Sequence, residues 1–129
     1  MSRQYVMGHS MGGDGTWQML INHPEKVSAA VPVAGIGITF KNNNDGIVTP
    51  INVNDEMLKI PTCIVYDNDD VFSGGDYNRM VYGVLKNMGA QGLTYYETSG
   101  FGHGICDCFV SIKDISILEW LYEQERMTN

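Results

Sequence analysis

Arg3-Gln4-Tyr5-Val6-Met7-Gly8-His9-Ser10-Met11-Gly12-Gly13 is the stretch that decides how this chain reads. Arg3–Met7 is a short β-prone run. It breaks at Gly8-His9-Ser10-Met11-Gly12, and a helical pattern follows with Trp17, Leu20 and Ile21 on one side. That pattern stops near Asn22-His23-Pro24, because a proline disfavours helical geometry in the residue before it. Gly8–Gly12 fits G-x-S-x-G, which calls for a sharp strand-to-helix turn. Glycines two before and two after the serine let a strained backbone close. The Ser10 hydroxyl then stands clear of the backbone, and the next amide, that of Met11, faces any developing oxyanion. A glycine-rich phosphate turn is the plain alternative, but the chain carries no P-loop lysine.

Working outward, Val27–Ala34 is almost wholly apolar, as expected of a strand buried on both faces. Gly35–Asp55, rich in Gly, Asn and Thr, reads as a long irregular excursion of the kind that usually signals binding or mobility. Ile60–Tyr66 is a second buried-type strand, opened by Pro61 at its edge. Tyr77, Met80, Val81, Val84, Leu85 and Met88 recur at helical spacing and predict a helix over Asp76–Met88, with Gly89 as its stop. Leu93–Glu97 is a further short strand. A closing helix over Phe109–Glu125 carries Ile117, Trp120 and Leu121. The order β-α-β-loop-β-α-β-α predicts an α/β fold: a mostly parallel sheet of about four strands flanked by helices, with its site along the C-terminal strand ends.

A serine nucleophile needs a base and a group to orient that base. The chain has three histidines. His9 lies inside the turn, where its side chain flanks Ser10 but reaches it poorly as a base. His23 reads as a surface or capping residue. His103 sits in the glycine-rich Ser99-Gly100-Phe101-Gly102-His103-Gly104 after a strand, and it alone completes the order Ser, Asp, His. For the acid, Asp67, Asp69 and Asp70 all follow a buried strand. Asp70 is the choice and Asp69 the runner-up. Asp67 lies too close to the strand to face the imidazole, and Asp76 suits a helix cap. Phe72 and Phe101 flank the acid and the base as candidate pocket walls, beside His9. Trp17, Trp120, Met80 and Met88 read as core.

With 129 residues the chain is long enough for one domain, spanning 1–129. Its net charge of −7 argues against nucleic acid and anionic membranes as partners. No run of about 18 apolar residues predicts a membrane span. Cys63, Cys106 and Cys108 are odd in number, so reduced thiols and a cytoplasmic location are expected, with Cys106 and Cys108 buried near the site. Cys106-Asp107-Cys108 lacks a second ligand pair, so neither metal nor cofactor is expected.

These motifs together resemble α/β-hydrolases, especially the esterase and predicted-peptidase group near dienelactone hydrolases. Arg3–Gly13 resembles the nucleophile strand and elbow. Gly15-Thr16-Trp17, His23-Pro24-Glu25-Lys26 and Ala29–Gly35 continue the likeness. Ile60-Pro61 resembles the opening of the acid strand, and Gly102-His103-Gly104 the histidine loop. The family's usual His-Gly-x-x-Asp corresponds to Tyr66-Asp67-Asn68-Asp69-Asp70, which puts the acid on Asp70 and departs from the pattern at Tyr66 and Asp67. The resemblance implies that the chain is a truncated α/β-hydrolase matching the C-terminal half of that fold. The strands that usually precede the elbow are then missing, as is the loop that supplies a second oxyanion donor.

The resulting expectation is a serine carboxylesterase that cleaves small or short-acyl esters, with Ser10, Asp70 and His103 as the triad. Peptide cleavage follows from likeness only. A cysteine nucleophile is disfavoured, since Cys63 lies in a core strand. The competing expectation is a non-catalytic remnant that binds a partner. Taken by itself the chain presents a free edge on its first strand, which predicts a homo-oligomer formed through it; the alternative expectation is a fragment whose missing half lies elsewhere.

Overall fold

The computed structural model describes residues 4–44, 48–72, 75–105 and 116–124. Strand β1 (Tyr5–His9) leads through helix α1 (Met11–Asn22) to β2 (Ala29–Val33). A hairpin, β3 (Phe40–Asn42) and β4 (Val48–Pro50), precedes β5 (Thr62–Asp67). Helix α2 (Gly75–Asn87), strand β6 (Leu93–Thr98) and helix α3 (Ser116–Glu123) complete the described elements. The main sheet has the order β1-β2-β5-β6, and every neighbouring pair is parallel.

Alternation along the two inner strands builds the layers. Ala30, Ile64 and Tyr66 face α1 and α2, packing with Trp17, Leu20, Val81 and Leu85. Ala29, Val31, Val33, Cys63 and Val65 face the other side, packing with Ile105 and with Ile117 and Leu121 of α3. Every residue of β2 and β5 is buried, which explains their unbroken apolar runs. β1 and β6 flank them and are only partly buried.

Several boundaries differ from the sequence reading. β1 continues to His9, directly into the turn, because its pairing with β2 persists to His9 opposite Val33. The excursion after β2 is not wholly irregular: it folds into the β3–β4 hairpin and is pinned by asparagine side chains. Asn52 accepts from Thr39 N–H at 2.9 Å and donates to the Gly37 carbonyl at 2.9 Å. Asn54 donates to Ile21 O at 2.9 Å and accepts from Met57 N–H at 3.0 Å. Tyr77 of α2 donates to Ile38 O at 2.7 Å and accepts from Ile38 N–H at 3.0 Å. Asp76 is not a cap: it lies inside the first turn of α2 and pairs with Arg79 at 2.6 Å. Met88 is exposed rather than packed, because α2 ends one residue before it. The described part of the closing helix is α3. Residues 106–115, with Cys106 and Cys108, and residue 125 lie outside the described residues.

α1 packs almost directly on the sheet backbone. A Cβ on Gly13 would stand 2.6 Å from the Val33 carbonyl oxygen and 3.0 Å from Gly35 Cα. One on Gly15, two residues along the same helix, would meet nothing within 4 Å. The two glycines therefore respond oppositely to alanine. Gly13→Ala forces α1 off β2 and costs about 1–3 kcal/mol. Gly15→Ala improves helix propensity and gains about 0.5–1 kcal/mol. Urea unfolding of the two variants checks this, with the midpoint lowered for Gly13→Ala and raised for Gly15→Ala.

Candidate active site

The turn between β1 and α1 places the serine. Ser10 is the residue before the helix and adopts φ 60° and ψ −115°, a left-handed backbone uncommon for a residue with a Cβ. Its N–H donates to Val33 O at 2.8 Å, and its carbonyl accepts the first helical bond from Asp14 N–H at 3.0 Å. Gly8 permits the reversal, because a Cβ there would lie 2.1 Å from the Gly12 carbonyl oxygen. Gly12 itself would tolerate a Cβ, with nothing within 4 Å. The close approaches are thus made by Gly8 and Gly13, rather than by the symmetric pair Gly8 and Gly12. Met11 is the first helical residue, so its N–H is among those that lack an intrahelical acceptor.

Three chain-distant side chains meet at the C-terminal strand ends. Ser10 Oγ lies 2.7 Å from His103 Nε2. His103 Nδ1 lies 2.9 Å from Asp70 Oδ2. A buried carboxylate can only accept here, so Nδ1 carries the proton and Nε2 is left to accept from the serine hydroxyl. Asp70 is 4% exposed and also accepts Phe72 N–H through Oδ1 at 2.8 Å. The runner-up Asp69 is turned elsewhere and accepts Gly100 N–H at 2.6 Å.

The flanking residues divide. Phe72 lines the cavity beside Ser10, with its ring 5.1 Å from that of His103. Phe101 is no cavity wall: it packs against the core beneath α3, on the face that holds Ile105. His9 does not line the cavity either. Its Nε2–H donates to the His103 carbonyl at 2.5 Å, so it props the histidine turn from below. His23 is exposed beside Glu25. Cys63 is buried, and burial pushes its thiol up to about 12, far from a reactive thiolate at neutral pH.

The cavity measures about 440 Å³ and is lined by Ser10, His103, Met11, Phe72, Asp14, Ala34 and Ile36. The last three escaped the sequence reading. Asp14 accepts Ile36 N–H at 2.6 Å and so draws the chain after β2 over the turn. Ala34 has φ 52°, a second strained residue beside Ser10. A non-glycine residue ending a buried strand carries no local sign of that conformation.

Asp67 also exceeds expectation. It is fully buried and faces inward between the acid and histidine loops. Burial pushes its carboxyl upward. Hydrogen bonds from the Thr98 hydroxyl and from the Asp69, Phe101 and Gly102 amides outweigh that push and hold it below the usual carboxylate range. Among the described residues no three His, Cys, Asp or Glu side chains group as a metal site. No described helix is long and apolar enough to cross a membrane.

No known protein-family profile matches the chain. A thermostable esterase superposes with a TM-score of 0.70 at 26% identity, over 95% of this chain and 31% of that one. A monoacylglycerol lipase of Paleococcus ferrophilus gives 0.66 at 15% identity, over 93% of this chain and 68% of that one. An acylaminoacyl peptidase of Pyrococcus horikoshii gives 0.69 at 15% identity, over 98% and 25%. In sequence, 30 residues are 53% identical to an uncharacterized secreted protein of Arthroderma benhamiae, 23% of this chain and 3% of that protein. The chain thus spans about a third of the esterase it matches. With a parallel sheet flanked by helices and a serine at the β1–α1 reversal, the chain carries the α/β-hydrolase fold.

Proposed function

We propose that the chain is the C-terminal, triad-bearing part of a serine hydrolase that cleaves small or short-acyl esters through an acyl-enzyme. One observation carries this reading: Ser10, His103 and Asp70 form an unbroken hydrogen-bonded chain at the wall of a largely apolar cavity. Ser10 Oγ attacks the ester carbonyl while its proton passes to His103 Nε2. Asp70 holds the imidazole in the tautomer that accepts this proton and stabilises the imidazolium that forms. The tetrahedral oxyanion takes a hydrogen bond from Met11 N–H. The alcohol leaves with the proton from His103. Water, deprotonated by the same nitrogen, then frees the acid and restores Ser10.

The cavity supports a small substrate, since its volume lies near the lower end of the usual range for small-molecule sites. Met11, Ile36 and Phe72 are exposed at its rim, which suits a short acyl group more than a long chain needing full enclosure. Removing one oxyanion donor from such a site typically costs about 10²–10³-fold in rate, which sets the weight that Met11 N–H carries in this reading. The free, buried Cys63 suits a reducing compartment, so a cytoplasmic location belongs to the same reading.

Hydrolysis of p-nitrophenyl acetate tests the proposal. Ser10→Ala lowers kcat/KM by at least about 10³-fold, and His103→Ala by a similar factor, with melting temperatures within a few degrees of the parent. Equal turnover by parent and Ser10→Ala protein would overturn it.

A second reading rests on β1. At the end of the main sheet it pairs with β2 alone among the described residues, leaving its other edge open. Such an edge is a template for another strand, so we also propose that copies of the chain associate through β1. Sedimentation equilibrium at micromolar concentration is expected to show a dimer or larger species, and Met7→Pro, which removes an N–H facing the open edge rather than β2, to dissociate it. A stable monomer contradicts this association.

A further inference from the structure

Asp67 ends β5 with its carboxylate fully buried between two loops. Oδ1 accepts Asp69 N–H at 2.8 Å. Oδ2 accepts the Thr98 hydroxyl at 2.6 Å and Phe101 N–H at 3.1 Å. The Asp67 carbonyl accepts Asp70 N–H at 3.2 Å. One residue therefore grips the loop that presents Asp70 and the loop that presents His103, within three residues of each. The β5–β6 ladder continues alongside, with Asn68 N–H donating to Thr98 O at 2.9 Å.

A fully buried carboxylate is costly unless every lone pair is used. The partners here are neutral N–H and O–H donors from both loops, so the charge is held by hydrogen bonds rather than by a cation. Only an acceptor-only side chain satisfies donors converging from both sides. Asparagine would turn an NH₂ toward Thr98 or Asp69, and glycine would leave the donors empty. The separation of His103 Nδ1 from Asp70 Oδ2 depends on the relative position of the two loops, and Asp67 joins them.

We propose that Asp67 is a positioning residue whose single carboxylate locks the Asp70 and His103 loops together and keeps the imidazole in its productive orientation. The proposal rests on the reading of Ser10, His103 and Asp70 as catalytic. It concerns the hydrogen bond between His103 and Asp70, so that bond can be read without turnover.

The experiment compares Asp67→Asn, Thr98→Val and Thr98→Ser with the parent chain. Short-ester kinetics are measured together with the low-field proton resonance of His103 Nδ1–H. In Asp67→Asn, kcat falls by about 10–100-fold while KM stays within about threefold, the size of effect that small misplacements of catalytic groups produce. The Nδ1–H resonance broadens or moves upfield. Thr98→Val shows the same changes more weakly, and Thr98→Ser, which keeps the hydroxyl, restores both. Thr98→Val carries the test if Asp67→Asn does not fold. Unaltered kcat and resonance in the asparagine and valine variants would overturn the proposal. If turnover proves independent of Ser10 while the resonance still follows Asp67, the catalytic reading fails and the positioning role stands.

Discussion

The reversal at Ser10 is the constraint on which the rest depends. A non-glycine residue at φ 60° costs on the order of 1–3 kcal/mol and persists only where its surroundings over-determine it. Here they do. Ser10 N–H is held by the end of β2, its carbonyl starts α1, and Gly8 lets the chain fold back within van der Waals contact. The same geometry drives α1 onto β2 through Gly13 and buries Trp17 and Leu20 against the sheet. The strain that lifts the hydroxyl above the strand ends is thus balanced by the packing that makes the α1 layer.

Because β2 and β5 are buried throughout, the polar groups of this molecule concentrate at the strand ends and beyond. That is where Ser10, Asp70 and His103 converge. Backbone and carboxylate hydrogen bonds set their separations: Asp14 draws in Ile36, Asp69 holds Gly100, and His9 supports His103. The two imidazoles have different tasks. His9 donates to a carbonyl and is spent on structure, whereas His103 keeps Nε2 directed at the serine.

Much of this architecture is legible in the amino-acid sequence. The parallel α/β class follows from unbroken apolar strands and intervening helical periods, both of which are local patterns. Ser10 was legible because its turn chemistry is written in adjacent glycines. His103 emerged because few histidines exist and only one follows Ser and Asp in order. What escaped is set through space. The β3–β4 hairpin pairs three-residue strands containing Lys41 and Asn42, too short and polar to show an alternating pattern. Ala34 and Ile36 line the cavity because Asp14 pulls their segment over the turn. Phe101 joins the core because the histidine loop dips toward α3 before rising to His103. Asp67 reads as an unremarkable strand-end acid until Thr98 of β6 and the amides of Asp69 and Phe101 in the two loops supply its donors.

In the proposed chemistry Ser10 is a nucleophile activated by His103 and Asp70. Intact-mass spectrometry after exposure to diisopropyl fluorophosphate, followed by peptide mapping, tests it most directly. A single diisopropylphosphoryl adduct on Ser10 is expected in the parent chain and almost none in His103→Ala. An unmodified Ser10, or labelling equally fast without His103, would contradict it.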